Sequence, residues 1–217
     1  MTPELKKNIA PAKTARGRER SKALLLSAID VFIENGYEGT SLSSIIEKAG
    51  GSRTTIYRLY GNKEGLFLAA LQLMVDEVYF AYLAEYKEGR PYREELEIFG
   101  RIFLTSMLTP RALGCSRLVF AAAARSPEIG RWYYKEGAEL SYLCFAKVLE
   151  NSLALPDEDL KEIALYYIET LKSKLVMHAL CCPDYRPGKE EIEKEVAFCV
   201  SLFMSYIEKK LAEQKTK

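Results

Sequence analysis

The densest group of side chains able to do chemistry lies in the stretch GGSRTTIYRLYGNKEGLF, residues 50–67. Within about two turns of predicted helix it carries Arg53, Thr54, Thr55, Tyr57 and Tyr60. Arginine can donate a pair of hydrogen bonds to guanine, and threonine offers a hydroxyl and a methyl group to base edges. Tyrosine hydroxyls suit phosphate oxygens better than base edges. The pattern therefore predicts contacts with nucleic acid.

Side chains for catalysis or metal binding are sparse elsewhere. His178 is the single histidine, and the five cysteines form no CxxC pair, so no set of ligands has zinc spacing. The chain also lacks a GxSxG nucleophile motif, a phosphate-binding loop and a dinucleotide fingerprint. We therefore expect no metal, no cofactor and no enzymatic activity, with an all-α enzyme as the remote alternative.

The charge distribution singles out the N-terminal third. The whole chain carries 31 basic and 30 acidic residues, but residues 1–66 carry 11 basic against 7 acidic. A net positive segment tolerates a polyanion such as DNA. Residues 1–17 read as a flexible basic arm, and Arg16, Arg18 and Arg20 suit either a minor-groove contact or an ordinary solvated tail.

Apolar spacing predicts an all-α protein, because apolar residues recur every three or four positions and no alternating strand pattern stands out. Gly36 is expected to end the first helix, Thr40 or Ser41 to cap the second, Ser52 the third and Asn62 the fourth. The predicted helices are 18–35, 42–49, 52–60, 63–86, 92–108, 111–124, 128–153, 157–182 and 189–213. No apolar run reaches the ~20 residues of a membrane span, and no secretory signal is evident, so a cytoplasmic protein is expected.

Two short helices around a glycine turn predict a helix-turn-helix, whose second helix lies in the major groove. That helix is expected to bury Ile56 and Leu59 and to keep its other face polar. Packing roles for Tyr57 and Tyr60, and a solvated role for Arg58, remain open. The candidate DNA-binding residues are Thr40, Ser41, Ser52, Arg53, Thr54, Thr55, Tyr57, Arg58, Tyr60 and Lys63.

The stretch YEGTSLSSIIEKAGGSRTTIYRLYGNKEGLF resembles the N-terminal domain of the TetR/AcrR family of transcriptional repressors, over roughly residues 18–68. The resemblance implies phosphate contacts for Thr40, Tyr57 and Lys63, and groove-facing side chains from Ser52 to Thr55. Gly51, where an apolar residue is usual, and Tyr60, where Phe is usual, depart from the family pattern. The implied domains are a DNA-binding domain at 18–66 and an effector-binding and dimerisation domain at 67–217.

The same resemblance implies a homodimer formed through the last two long helices. Broad apolar stripes along 157–182 and 189–213 agree with that use, although a monomeric core would show similar periodicity. The stretch SRLVFAAAARSPEIGRWYYKEGAEL also resembles the C-terminal region of a subgroup that includes regulators of multidrug efflux pumps.

Aromatic, soft and titratable side chains in this region suit a pocket for a hydrophobic or amphipathic effector, although ordinary core packing is the alternative for each of them. The candidates are Phe99, Phe103, Met107, Phe120, Trp132, Tyr142, Phe145, Tyr166 and His178. The sequence thus predicts a dimeric repressor released from operator DNA by a small molecule. A DNA-organising or partner-binding protein without an inducer is the alternative.

Overall fold

A computed structural model describes residues 15–215, which form helices and no strand. The predicted fold class is confirmed. The helices are α1 Ala15–Gly39, α2 Leu42–Ala49, α3 Arg53–Tyr60, α4 Lys63–Glu85, α5 Tyr92–Met107, α6 Pro110–Ala123, α7 Pro127–Trp132, α8 Leu140–Leu149, α9 Asp157–Ser173, α10 Leu175–Cys181 and α11 Lys189–Lys215, with a π-helical segment Tyr133–Glu139 between α7 and α8.

The basic arm lies mostly outside the described residues, which begin at Ala15. Helix α1 also begins at Ala15, so the three residues before position 18 are helical and the predicted arm was too long. At Gly36 the backbone leaves helical geometry with φ 74° and ψ 163°, as expected of a helix end. A short helical turn then continues to Gly39.

Among the described residues, 15–77 and 114–134 form one compact unit, unit 1. Its core joins α1 to the two short helices and to the first half of α4 through Ile29, Phe32, Ile45, Ile56 and Phe67, all at most 1% exposed. Phe32 and Phe67 meet edge to face, with ring centroids 4.8 Å apart. Such packing holds α2 and α3 on a rigid base.

Residues 78–113 and 135–217 form unit 2. A run of aromatic rings passes through its core, including Phe99 on Phe145 with centroids 3.9 Å apart and Phe145 on Tyr167 at 5.7 Å. The Tyr167 hydroxyl donates to the Leu96 carbonyl at 2.6 Å. Gly100 makes room for this, since a Cβ there would lie 2.6 Å from that hydroxyl.

Two of the predicted long helices are interrupted. The expected helix 128–153 consists of α7, the π-helical segment and α8, and it ends at Leu149. The expected helix 157–182 is interrupted at Lys174, which lies between α9 and α10. Apolar periodicity continues through both interruptions, so the sequence pattern did not show them.

Helix α4 corrects the expectation about apolar runs. By length and composition it could cross a membrane, with a mean hydropathy of 1.5 over 18 residues, of which 44% are buried. Leu66, Phe67, Ala70 and Leu71 belong to the core of unit 1, and core helices of soluble proteins share this composition. The apolar character is therefore explained by packing.

Candidate nucleic-acid interface

The turn between α2 and α3 requires glycine. The Ser41 hydroxyl caps α2 by accepting from the Ser44 amide at 3.1 Å. The Ser44 hydroxyl in turn accepts from the Ser41 amide, which completes a capping box. Gly50 and Gly51 have φ values of 72° and 102°, which side chains other than glycine rarely adopt. The departure at Gly51 thus has a conformational reason, because the turn uses left-handed backbone at both positions.

Helix α3 buries one side chain and exposes most of the others. Ile56 is 1% exposed and anchors the helix in unit 1. Leu59, expected to be buried, is 39% exposed, and Tyr57 is 54% exposed. Arg53 and Arg58 are also exposed. Only Ile56, and not Leu59, therefore anchors α3, and a larger part of the helix surface is available to a ligand than expected.

The first turn of α3 is held by its own cap and by α2. The Ser52 hydroxyl accepts from the Thr55 amide at 3.2 Å, and the Ser52 and Thr55 hydroxyls lie 3.0 Å apart. The Arg53 guanidinium donates to the Ser43 hydroxyl. The sequence analysis did not predict a role for Ser43, because nothing in the local pattern of serines indicates a contact with Arg53 across the turn. Thr54 is exposed and extends the polar surface.

Thr40 and Ser41 have different positions. Thr40 is 3% exposed, and its hydroxyl donates to the Gly36 carbonyl at 2.7 Å. The Thr40 hydroxyl thus donates within the turn between α1 and α2, and the phosphate contact implied for Thr40 stays a prediction. Ser41 is exposed beside it.

Tyr60 and Lys63 contact α1. The half-buried Tyr60 hydroxyl lies 2.8 Å from that of Ser21, and burial raises the pKa of Tyr60. This contact favours the packing role for Tyr60, and its phosphate contact stays a prediction. Lys63 donates to the Tyr37 carbonyl at 2.9 Å, with its ammonium 4.5 Å from the Tyr37 ring centroid. An ammonium has three donors, so this bond leaves two for another acceptor.

The N-terminus of α4 begins as the sequence indicated. The Asn62 side-chain oxygen accepts from the Gly65 amide at 2.8 Å, which confirms the predicted cap. Gly61, with φ 79°, makes the turn from α3. Helix α3, the turn at Gly61 and the cap at Asn62 are therefore all formed by hydrogen bonds and backbone angles of residues close together in the sequence.

The nine effector candidates are divided between the two units. In unit 2, Phe99, Phe103, Tyr142 and Phe145 are buried in the core and Met107 packs against it. Phe120, 62% exposed, and Trp132 lie in unit 1. Tyr166 is 54% exposed, and His178 is exposed with its ring stacked on Tyr185 at 3.7 Å. An effector pocket shared by these residues stays a prediction.

No group of three or more potential metal ligands occurs among residues 15–215. None of the five cysteines forms a disulfide, and Cys181 and Cys182 are exposed at the end of α10.

Comparison with known proteins agrees with this architecture. Residues 24–70 match the family model described as bacterial regulatory proteins, tetR family. Residues 94–206, more than half of the chain, match the C-terminal domain of AefR-like transcriptional repressors.

Two relatives illustrate how far the likeness extends. A Bacillus subtilis protein, the uncharacterized HTH-type transcriptional regulator YezE, is 26% identical over 159 residues, which span 70% of this chain and 82% of that protein. The DNA-binding transcriptional repressor TetR of Mycobacteroides abscessus is 49% identical over 57 residues, which span 26% of this chain and 30% of that protein.

Solved structures extend the likeness to the whole fold. A TetR-family transcriptional regulator from Mesorhizobium loti superposes with a TM-score of 0.73 at 25% identity, covering 89% of this chain and 98% of its own. A transcriptional regulator from Pseudomonas aeruginosa superposes with a TM-score of 0.68 at 20% identity, covering 88% and 94%.

Proposed function

The chain belongs to the TetR family of transcriptional regulators, and from that premise we propose that it is a repressor released from operator DNA by a small effector. It is not an enzyme. The observation that carries the proposal is the exposed polar face of α3, which a single buried side chain, Ile56, anchors to unit 1. A helix presented in this way can enter a major groove. A cytoplasmic location is part of the proposal, because the DNA target lies there.

In the proposed complex, Arg53 reads a base and its neighbours hold the backbone. Ser43 limits the freedom of the Arg53 guanidinium, which lowers the entropy lost when that side chain meets guanine. In this proposal, phosphates are contacted by Tyr57, by Ser41 and by the remaining donors of Lys63. Thr54 and Thr55 offer hydroxyls and methyl groups to the groove.

We propose a homodimer formed through α9, α10 and α11. These helices expose large apolar side chains, Tyr166 at 54%, Met177 at 56%, Phe198 at 62% and Leu202 at 51%. Phe198 and Leu202 are four residues apart and share one face of α11. Two-fold pairing of that face would present two copies of α3, which must lie about 34–36 Å apart to enter successive major grooves.

Release requires an effector that binds better to a conformation unable to span that distance. Helix α4 begins at the α3 turn and supplies residues to both units. A shift of α4 would therefore change the position of α3. By linkage, DNA must weaken effector affinity by the same factor by which the effector weakens DNA affinity.

The test is titration of the protein against its own upstream intergenic DNA and a scrambled DNA of equal length, between 50 and 200 mM salt, a range that separates specific from non-specific binding. We expect a footprint on a near-palindrome. Arg53→Ala should weaken that binding about five- to 150-fold, as expected of one bidentate base contact worth about 1–3 kcal/mol. Arg93→Ala is the matched control, because Arg93 is an exposed α5 arginine paired with Glu97 at 3.5 Å.

Equal and steeply salt-dependent binding to both DNAs, unchanged by Arg53→Ala, would contradict operator recognition. That outcome would instead support a DNA-organising protein. Control of a multidrug efflux system is the finer proposal, supported by the sequence resemblance of residues 116–140. Its test is the transcript level of neighbouring transporter genes after deletion of this gene, which should rise if the protein represses them.

A further inference from the structure

One polar pair on α4 is buried without being satisfied. Gln72 and Asp76 are 8% and 7% exposed and lie one helical turn apart. The Gln72 Nε2 donates to an Asp76 carboxylate oxygen at 2.8 Å. Among the described residues Asp76 has no cationic partner, and the buried Gln72 Oε1 accepts no hydrogen bond. Of the three side-chain oxygens of the pair, one Asp76 oxygen accepts from the Gln72 amide, and Gln72 Oε1 is left buried without a donor.

This arrangement is costly to the folded protein. A buried acceptor without a donor loses about 1–3 kcal/mol, and a buried carboxylate without a cation loses more. Burial raises the pKa of Asp76, and the Gln72 hydrogen bond offsets only part of that rise. Reversing the Gln72 amide would not help, because it would leave the amide nitrogen without an acceptor.

The neighbouring residues make the burial more unusual. On the same stretch of α4, Met74, Val75 and Val78 are only half-buried, and Phe80 is 56% exposed. An amphipathic helix normally buries such apolar side chains and exposes its carboxylates. Here Asp76 is the buried member. Packing alone does not explain why Asp76 is buried, whereas a ligand that binds the Asp76 carboxylate and Gln72 Oε1 would explain it.

We propose that Gln72 and Asp76 bind the protonated nitrogen of an amine or amidine effector. This inference rests on the proposed function and specifies its ligand. A cation satisfies the Asp76 carboxylate, and an N–H donor is needed for Gln72 Oε1, so a quaternary ammonium would fit less well. Half-buried Val75, three residues after Gln72 and therefore on a neighbouring side of α4, offers apolar surface to an organic substituent.

The location suits regulation of DNA binding. Asp76 lies in unit 1, thirteen residues after Lys63 on the same helix, about 20 Å along its axis at 1.5 Å per residue. Lys63 contacts α1 and follows the α3 turn directly. An ammonium group bound at Asp76 therefore contacts α4, the helix that directly follows α3 in the chain.

The experiment compares three naphthalene probes by calorimetry without DNA: 1-naphthylmethylammonium, its trimethylated quaternary analogue and the neutral 1-naphthylmethanol. We expect the primary ammonium to bind more tightly than the quaternary probe. Asp76→Asn should weaken primary ammonium binding at least tenfold without changing naphthylmethanol binding. Glu85→Gln, the same change at an exposed α4 carboxylate, should change neither. Gln72→Met, which removes the unpartnered oxygen, should weaken the ammonium several-fold.

The inference is overturned by a primary ammonium that does not bind at millimolar concentration, binds Asp76→Asn as tightly as the wild type, or binds no better than the quaternary probe. Thermal melts of both variants establish beforehand that they are folded. Ammonium binding that depends on Asp76 but leaves DNA affinity unchanged would keep the site and refute its role in release. Loss of all DNA binding with the probe results intact would refute the proposed function alone.

Discussion

Substitution of Gly65 by alanine tests whether the junction of α3 and α4 is as tightly packed as the structure shows. A Cβ at position 65 would lie closer than 3.0 Å to the Tyr60 carbonyl oxygen and 3.1 Å from its carbon. That oxygen already accepts from the Asn62 amide at 2.9 Å, and the Gly65 amide donates to the Asn62 cap at 2.8 Å. The new atom cannot be accommodated by rotating a side chain, so the turn itself must move.

The cost has two parts. Overpacking of a rigid site costs about 1–3 kcal/mol, and loss of a helix cap costs a further ~1 kcal/mol. Alanine regains about 0.5–1 kcal/mol through its higher helix propensity. The expected net loss is therefore about 1–3 kcal/mol in the free energy of unfolding, with a fall in Tm of about 2–4 °C per kcal/mol for a chain of this size.

Gly39→Ala is the matched control in the same unit. Its Cβ would meet nothing nearer than the Asn35 Cβ at 4.0 Å, and Gly39 is not among the glycines with positive φ. It should leave Tm unchanged or slightly higher. Denaturation of both variants and titration with upstream DNA provide the assay. Gly65→Ala with wild-type stability and wild-type DNA affinity would refute the assigned packing of this junction.

Three further predictions follow from other parts of the molecule. Phe198→Glu places a charge on the proposed dimer face and should halve the mass measured by sedimentation; an unchanged dimer would place the interface elsewhere. Because the pKa of Asp76 is raised in the folded state, its contribution to stability is complete below the ordinary carboxyl pKa and is lost as pH rises through the raised value. Asp76→Asn should lack that loss in denaturation series from pH 4 to 7, and identical pH profiles would argue against a buried carboxylate. In native protein a thiol reagent should label exposed Cys181 and Cys182 rapidly but spare buried Cys199, whose pKa burial raises to about 12; rapid labelling of Cys199 would contradict its burial.

Helix caps and glycine turns were enough to predict the helix-turn-helix segment of the fold. Helix α2 and the end of α3 lie where the sequence placed them, with caps at Ser41 and Ser52. Each of these features depends on residues a few positions apart, so hydrogen bonds to nearby backbone amides determine them. The family resemblance rests on the same residues, which is why the sequence alone is sufficient to reveal it.

Long-range packing decided what the sequence could not. Apolar periodicity predicted unbroken helices through residues 128–153 and 157–182, whereas the chain is interrupted in both. Aromatic composition did not show how the effector candidates are divided, with Phe120 and Trp132 in unit 1 and Phe99 and Phe145 in unit 2. The type of a side chain indicates whether it can be buried, but it does not show which other side chains it contacts.

The amino-acid sequence by itself determined the helical class, the helix-turn-helix and the family, because short-range caps, glycine turns and apolar spacing specify them. Only the tertiary structure showed that Thr40 is buried, that Tyr60 bonds to Ser21, and that Gln72 and Asp76 lie buried with too few donors. Burial depends on residues distant in sequence that pack over a side chain, so the same aspartate reads as an ordinary surface charge until the fold covers it.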